Sequence, residues 1–196
     1  MTGNLSPTRQ RILNVAARLF RERGFHATTT RAISEVVGIL SGSLFHYFRS
    51  KEQMLFEVMS EAATQLCAKA EAAVAAAEGP RARLRALLLL QLHCLIGEDT
   101  RDYYAVMIGE WRELDSAAKP LLTARRIQYT ALWRATLEEC ARAKLLRADP
   151  HTTQFVLLGA INWASTWFKP TGLLSIEDYA ATLEKLVLEE GPGTRH

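Results

Sequence analysis

Gly38-Ile39-Leu40-Ser41-Gly42-Ser43-Leu44-Phe45-His46-Tyr47-Phe48-Arg49-Ser50-Lys51-Glu52 is the stretch that decides how this chain reads. Gly38 supplies a turn. A short third helix is expected over Ser41 to Phe48, with small residues at its start and Leu44 and Phe48, four apart, facing a core. Tyr47 and His46 fall on its outer side. Arg49-Ser50 breaks it, and Ser50 with Gln53 three residues on has the form of a capping box that opens the next helix.

Upstream, Ser6-Pro7 is a helix start, with proline at the first position where its missing N–H costs nothing. Ile12, Ala16, Leu19 and Phe20 make a buried stripe and Gly24 ends the helix. Thr28-Thr29-Thr30 opens a second short helix bearing Ile33, Val36 and Val37. Downstream, a long fourth helix runs through Met54, Leu55, Val58, Met59, Ala62 and Leu66 to Glu78-Gly79-Pro80. Further helices are expected near 81–96, near 101–114, from Lys119-Pro120 to about Lys144, from Asp149-Pro150 to Lys169-Pro170-Thr171-Gly172, and from Ser175 to before Gly191-Pro192-Gly193. No period-two pattern is present. The fold class is therefore all-α with about nine helices: a three-helix unit over residues 1–54 and a helical body over 55–196, joined without a flexible linker.

Composition narrows the function classes. In 196 residues, 48% hydrophobic and 23% charged, there is ample material for an ordinary core. Cys67, Cys94 and Cys140 are far apart and form no C-x-x-C pair, so reduced thiols, a cytoplasmic setting and no structural metal are expected. Met1 to Ser6 lacks a basic start and an apolar run, so no signal peptide is expected. The apolar run Ala86–Ile96 is too short to span a bilayer. No Gly-rich phosphate loop, H-E-x-x-H or G-x-S-x-G occurs, and His93-Cys94 has no second spaced pair; no catalytic role and no cofactor are expected.

Charge is uneven. Up to residue 52 there are eight cations (Arg9, Arg11, Arg18, Arg21, Arg23, Arg31, Arg49, Lys51) and three carboxylates (Glu22, Glu35, Glu52), while the whole chain carries a net charge of only +3. A basic first quarter suits a polyanion. Hydroxyls, cations and helix-terminal amides hold phosphates, and a thin helix start approaches base edges. Those features favour a helix-turn-helix on DNA. A short helix after a glycine turn also occurs in helical proteins without a DNA role, and spacing alone leaves that alternative open.

The combined pattern Gly24-Phe25-His26-Ala27-Thr28-Thr29, Ile33, Gly38, then Gly42-Ser43-Leu44-Phe45-His46-Tyr47-Phe48-Arg49-Ser50-Lys51-Glu52 resembles the N-terminal domain of TetR-family transcriptional repressors over about residues 8–56. The resemblance implies a homodimer, a DNA-binding head, a C-terminal ligand-binding and dimerisation body, and release of a palindromic operator by a small-molecule effector. Position by position it implies phosphate contacts at Thr28, Thr29, His46, Tyr47 and Lys51, and groove-facing roles for Thr30, Arg31, Ser41, Gly42, Ser43 and Phe45. The chain departs from the family pattern at Leu40, Ser41 and Phe45, so fewer charged contacts are expected and Arg31 becomes the candidate for reading a guanine.

In the body, Trp111, Arg112, Arg125, Tyr129, Trp133, Trp163 and Trp167 are candidates for an apolar pocket with polar anchors. For any single one of the aromatics, core or dimer packing is the favoured reading, since large aromatics dominate cores and interfaces. Asn162, Trp163, Trp167 and Phe168, followed by Lys169-Pro170-Thr171-Gly172-Leu173-Leu174-Ser175, resemble a segment of TetR-like regulators of lipid and steroid breakdown, some of which sense acyl-coenzyme A thioesters. An acyl-CoA or similar amphipathic ligand follows as the expected effector. Phe155, Leu158, Gly159, Asn162 and Thr166 on the eighth helix, with Leu183 and Val187 on the ninth, are the expected dimer surface, two helices from each partner making a four-helix bundle.

Overall fold

The computed structural model describes residues 6–97, 100–169 and 172–189. Among them are nine α-helices: α1 Pro7–Arg23, α2 Thr30–Val37, α3 Ser41–Leu44, α4 Lys51–Ala76, α5 Pro80–Ile96, α6 Arg101–Gly109, α7 Lys119–Arg142, α8 Pro150–Trp167 and α9 Ile176–Val187. A 3₁₀ turn, Trp111–Glu113, follows α6. Pro170, Thr171 and Gly191–Gly193, which the sequence assigns to helix ends, lie outside the described residues.

The ends follow local chemistry. Ser6 Oγ accepts from Arg9 N at 3.3 Å and Thr29 Oγ1 accepts from Ala32 N at 3.1 Å, each satisfying an amide that has no partner inside its helix. Gly38 ends α2 at φ +78°, a left-handed conformation that costs glycine little. At α4, Ser50 Oγ accepts from Gln53 N at 3.2 Å, and Gln53 Oε1 accepts from Arg49 N at 2.7 Å. The expected capping box is present, with its return bond shifted one residue upstream.

Two helices are shorter than their periodicity predicts. α3 ends at Leu44 rather than Phe48, because beyond it the amides of Phe45, His46 and Tyr47 bond three residues back, to Gly42, Ser43 and Leu44. This tightening leaves both Leu44 and Phe48 buried. α6 ends at Gly109, and the Trp111–Glu113 turn covers the rest of the stretch read as one helix.

The chain forms two compact units. The first joins the described residues up to Thr64 with Arg101–Thr123; the second joins Gln65–Thr100 with the described residues from Ala124 onward. α4 contributes its start to one and its end to the other.

In the first unit, Ile12, Phe20, Ile33, Leu44, Phe48, Met54, Leu55 and Met59 are among the residues of one buried cluster, with Val106 and Leu122 from the second stretch. α6 is fastened to α1 by polar bonds at the edge of this cluster. Arg21 Nε donates to Asp102 Oδ1 at 2.5 Å, and the Tyr103 hydroxyl donates to Asn14 Oδ1 at 2.7 Å while accepting from Gln10 Nε2 at 3.1 Å. Burial and the nearby Glu61 carboxylate push the Tyr103 phenol well above its ordinary value of 10, so it stays a donor.

In the second unit, α5 packs against α8 and α9. Arg147 N donates to Val187 O at 3.0 Å and Glu189 N to Leu145 O at 2.7 Å, tying the α7–α8 turn to the end of α9. No described helix is long and apolar enough to cross a membrane.

Candidate nucleic-acid interface

The first unit's turn region is held from inside. Phe25 packs on Phe20 with ring centroids 5.3 Å apart. Lys51 Nζ stands 4.2 Å from the Phe25 ring centroid and donates to Phe25 O at 2.7 Å and Thr28 O at 2.9 Å. Arg9 lies over the Phe48 ring at 4.4 Å, and its Nη2 donates to Glu57 at 2.6 Å. Cations on aromatic faces and carbonyls thus clamp the loop before α2 and the segment after α3 onto the core.

This arrangement corrects one expected phosphate contact, Thr28, and partly engages another, Lys51. Thr28 is fully buried, its hydroxyl 3.1 Å from Leu19 O and 2.9 Å from Gly24 O, so it braces the loop and does not meet a phosphate. Lys51 has spent two of its three donors on carbonyls of its own chain. It clamps the loop and keeps one N–H for a further partner; the sequence could not show that these carbonyls converge on it.

The other candidates are placed as follows. Thr29, Arg31, Ser41, Gly42, Phe45 and His46 are exposed; Thr30, Ser43 and Tyr47 are half-buried, and Tyr47 packs against the unit's core. Thr29 caps α2 as an acceptor and keeps its own proton for a further partner. Arg31 is 81% exposed, and its Nε donates to Glu35 Oε1 at 2.9 Å, a pair one helical turn apart. Arg49, absent from the sequence candidates, is exposed directly after Phe48; a cation immediately behind the aromatic run was the signal for it. What the unit presents is therefore hydroxyls, a histidine, two arginines and a bare glycine backbone outside a sealed apolar interior, a surface suited to a polyanion with readable edges.

The body candidates divide. Trp111 packs against the core of the first unit, and Arg112 is exposed on the same 3₁₀ turn. Both belong to the first unit, whereas Arg125, Tyr129, Trp133, Trp163 and Trp167 belong to the second. Within the second unit, Trp133 is fully buried and Tyr129 is buried with its ring against Trp133, centroids 6.4 Å apart. The Tyr129 hydroxyl donates to Gln91 Oε1, and Gln91 Nε2 donates to Asn162 Oδ1 at 3.2 Å. This polar line joins α7, α5 and α8 through an interior otherwise rich in leucine. Burial pushes the Tyr129 phenol well above its ordinary range, so it remains a neutral donor. Gln91 was missed, though a lone amide inside Leu87-Leu88-Leu89-Leu90-Gln91-Leu92 was a visible signal. Arg125 is exposed, its Nη1 donating to Gln128 Oε1 at 3.3 Å, away from this line.

Trp163 and Trp167 are 68% and 45% exposed, so they lie outside the core of the protomer. They continue an outward face of α8 that carries Phe155 (66% exposed), Val156, Gly159 and Thr166. Leu158 and Asn162 are half-buried beside it. On α9 the expectation is corrected: Leu183 and Val187 are buried in their own protomer, and Leu186 points outward instead. A three-to-four spacing is satisfied equally by the inner and the outer face of an amphipathic helix, and packing against α5 selects the inner one for Leu183 and Val187.

Among the described residues, no group of three or more His, Cys, Asp or Glu side chains could hold a metal ion. Comparison with known proteins agrees with this geometry. Residues 12–58 match the family described as bacterial regulatory proteins, tetR family, and residues 77–190 match the tetracyclin repressor-like C-terminal domain. The HTH-type transcriptional repressor KstR2 of Rhodococcus jostii (strain RHA1) is 30% identical over 191 residues, covering 96% of this chain and 93% of that protein. Among solved structures, the ketosteroid transcriptional regulator KstR2 of Mycobacterium tuberculosis superposes with a TM-score of 0.86 at 26% identity, covering 96% of this chain and 98% of that one. AibR in complex with isovaleryl coenzyme A and operator DNA superposes with a TM-score of 0.83 at 26% identity, over 91% and 97% of the two chains. The head-and-body architecture, the outward-facing α2–α3 surface and these full-length similarities lead to one conclusion: the chain belongs to the TetR family of transcriptional regulators.

Proposed function

We propose that the chain is a cytoplasmic homodimeric repressor that binds a palindromic operator through α2 and α3 and releases it when a small amphipathic ligand, of the acyl-CoA thioester class, occupies the second unit. The DNA-binding head runs to about residue 54, and the remainder senses ligand and dimerises. One observation carries the reading. On α3 and the turn after it, Leu44 and Phe48 are buried while Ser41, Gly42, Phe45 and His46 are exposed, so the segment that should probe DNA is anchored from behind and free in front.

Thr29, Arg31, His46 and Arg49 supply donors for phosphates and base edges. Two heads must enter successive major grooves, about 34 Å apart on the duplex. The exposed apolar face of α8, with Leu186 of α9, supports a self-complementary contact between two copies. The similarity to KstR2 repressors, and to AibR solved with isovaleryl coenzyme A and operator DNA, supports the effector class. The Tyr129–Gln91–Asn162 line supports the location, because a polar function on an apolar ligand can exchange hydrogen bonds with neutral groups there. α4, which runs from the first unit into the second, is the element through which a change of a few kcal/mol would be shared.

The test is a duplex selected from a random pool by the full-length protein, titrated at several salt concentrations with and without isovaleryl-CoA and longer acyl-CoAs. The expected result is tight binding to the selected duplex, an affinity falling steeply with salt, and release by one acyl-CoA at micromolar concentration. Equal affinity for random duplex would refute operator binding, and indifference to every acyl-CoA would refute the effector class.

A further inference from the structure

The reading surface carries more hydrocarbon than a phosphate-binding surface needs. Leu40 is 80% exposed, Phe45 54% and Val36 41%, all within the turn and short helices that face outward. The core of the first unit is closed without them. Leu40 and Phe45 bracket α3, Leu40 as the residue before its first turn and Phe45 as the residue after its last.

Between them stands Gly42. A Cβ placed there would meet nothing within 4 Å, and its backbone is not in the left-handed region. The fold therefore has room for a side chain at this position, and its absence lets the backbone between Leu40 and Phe45 approach an opposing surface closely. Within α3 itself the polar side chains, Ser41 and Ser43, are short, and the longer donors His46 and Arg49 follow it. Arg31 Nε is paired with Glu35 while the rest of its guanidinium stays exposed, and Lys51 is turned inward onto Phe25 O and Thr28 O.

A duplex offers one apolar group in the major groove, the 5-methyl of thymine. We propose that Leu40 and Phe45 read thymine methyl groups, so that the operator half-site of this chain is specified in large part by apolar contact rather than by charged side chains on guanine. Duplex DNA is the occupant because these side chains alternate with hydroxyls and a histidine on a unit where cations outnumber carboxylates. An apolar protein partner would not call for that polar frame. The inference rests on the DNA-binding reading above and specifies what that surface selects.

The experiment uses the full-length protein and the duplex it selects from a random pool. Each thymine of one half-site is replaced in turn by deoxyuridine, which removes the methyl and leaves every pairing and groove hydrogen-bonding group in place. At one or two positions binding weakens about fourfold, the factor that corresponds to losing one buried methyl-sized group. Phe45→Ala and Leu40→Ala, both at exposed positions, melt at the wild-type temperature, bind the thymine duplex about as weakly as wild type binds the uracil one, and each lose sensitivity to deoxyuridine at one position. Gly42→Leu melts unchanged and loses the selected duplex at least tenfold. If a selected duplex is bound equally well at every deoxyuridine substitution, or if both variants keep the full deoxyuridine effect, the methyl reading is overturned while operator binding stands. If no duplex is enriched over the random pool, DNA binding itself fails and this inference fails with it.

Discussion

The two units bury their polar groups differently. In the first, the buried hydroxyls of Thr28 and Ser34 close on nearby backbone: Thr28 on Leu19 O and Gly24 O, Ser34 on Thr30 O at 2.9 Å. The bonds to Gly24 O and Thr30 O stay within one helix or turn, and the bond to Leu19 O ties the loop back to α1. In the second, Thr136 and Thr153 also close on nearby backbone, but other buried polar groups reach across helices. Tyr129, Gln91 and Asn162 link α7, α5 and α8; Gln154 Nε2 donates to Thr130 O at 3.0 Å, linking α8 to α7; Glu184 faces Arg85 Nη1 at 3.4 Å and Arg81 Nη1 at 3.6 Å, linking α9 to α5. A polar ligand can substitute for a bond between helices and so change how they pack. It cannot easily displace a bond inside one turn.

The comparison can be broken most severely at Phe48. Phe48→Ala empties the space behind α3 and removes the ring beneath Arg9. It should cost about 3–5 kcal/mol in urea unfolding. The same truncation at exposed Phe45 should stay within about 0.5 kcal/mol. Equal effects would mean that the front and back of this segment have been assigned wrongly.

On the second unit the exposed face should matter for assembly rather than for the protomer. Trp163→Glu sets a charge in the middle of the apolar α8 face, and losing such an anchor is worth about 2 kcal/mol or more. Sedimentation should show the dimer dissociating at concentrations at least about thirtyfold higher than for the wild type. Helical content should be unchanged.

Tyr129→Phe tests the interior line. Gln91 Oε1 loses its donor in a buried setting, a penalty of about 1–3 kcal/mol. Adding Gln91→Leu removes the stranded acceptor and should recover part of that loss, though it also frees Asn162 Oδ1. If the double variant is as unstable as the sum of the singles, the two residues do not act as one line.

The smallest effect is set by pH. The first-turn Glu52 carboxyl is held below its ordinary value of 4.5 by its own backbone N–H and by Ser50. A depressed carboxyl stabilises the fold above its unfolded value, and that contribution disappears as pH falls through the folded one. Glu52→Gln should therefore melt slightly below wild type at pH 7. The gap should close below pH 4.5, as thermal melts across the range would record.

Several features were legible because they are local. The Ser6-Pro7 start, the Gly38 turn, the Ser50/Gln53 cap and the inward pair Leu44 and Phe48 each depend on residues within a turn of one another. Others were not. Thr28 looked like a surface hydroxyl until Leu19 O and Gly24 O closed over it. Lys51 looked like a free cation until the Phe25 and Thr28 carbonyls met it 26 and 23 residues upstream. Trp111 packs on a core drawn largely from residues far earlier in the chain, a placement its own stretch does not record.

Periodicity, caps and turn residues by themselves determined that this chain is helical, where most of its helices begin, and that a short basic-flanked segment stands near its start. Those follow from backbone hydrogen bonding and from the 3.6-residue repeat, which any stretch carries within itself. Tertiary structure alone decided which face of α9 is inside, that Arg101–Thr123 completes the first unit, that Lys51 turns inward, and that Leu40 is left in the open. Each of these depends on a neighbour distant in sequence, and a helix carries no record of which surface will reach it first.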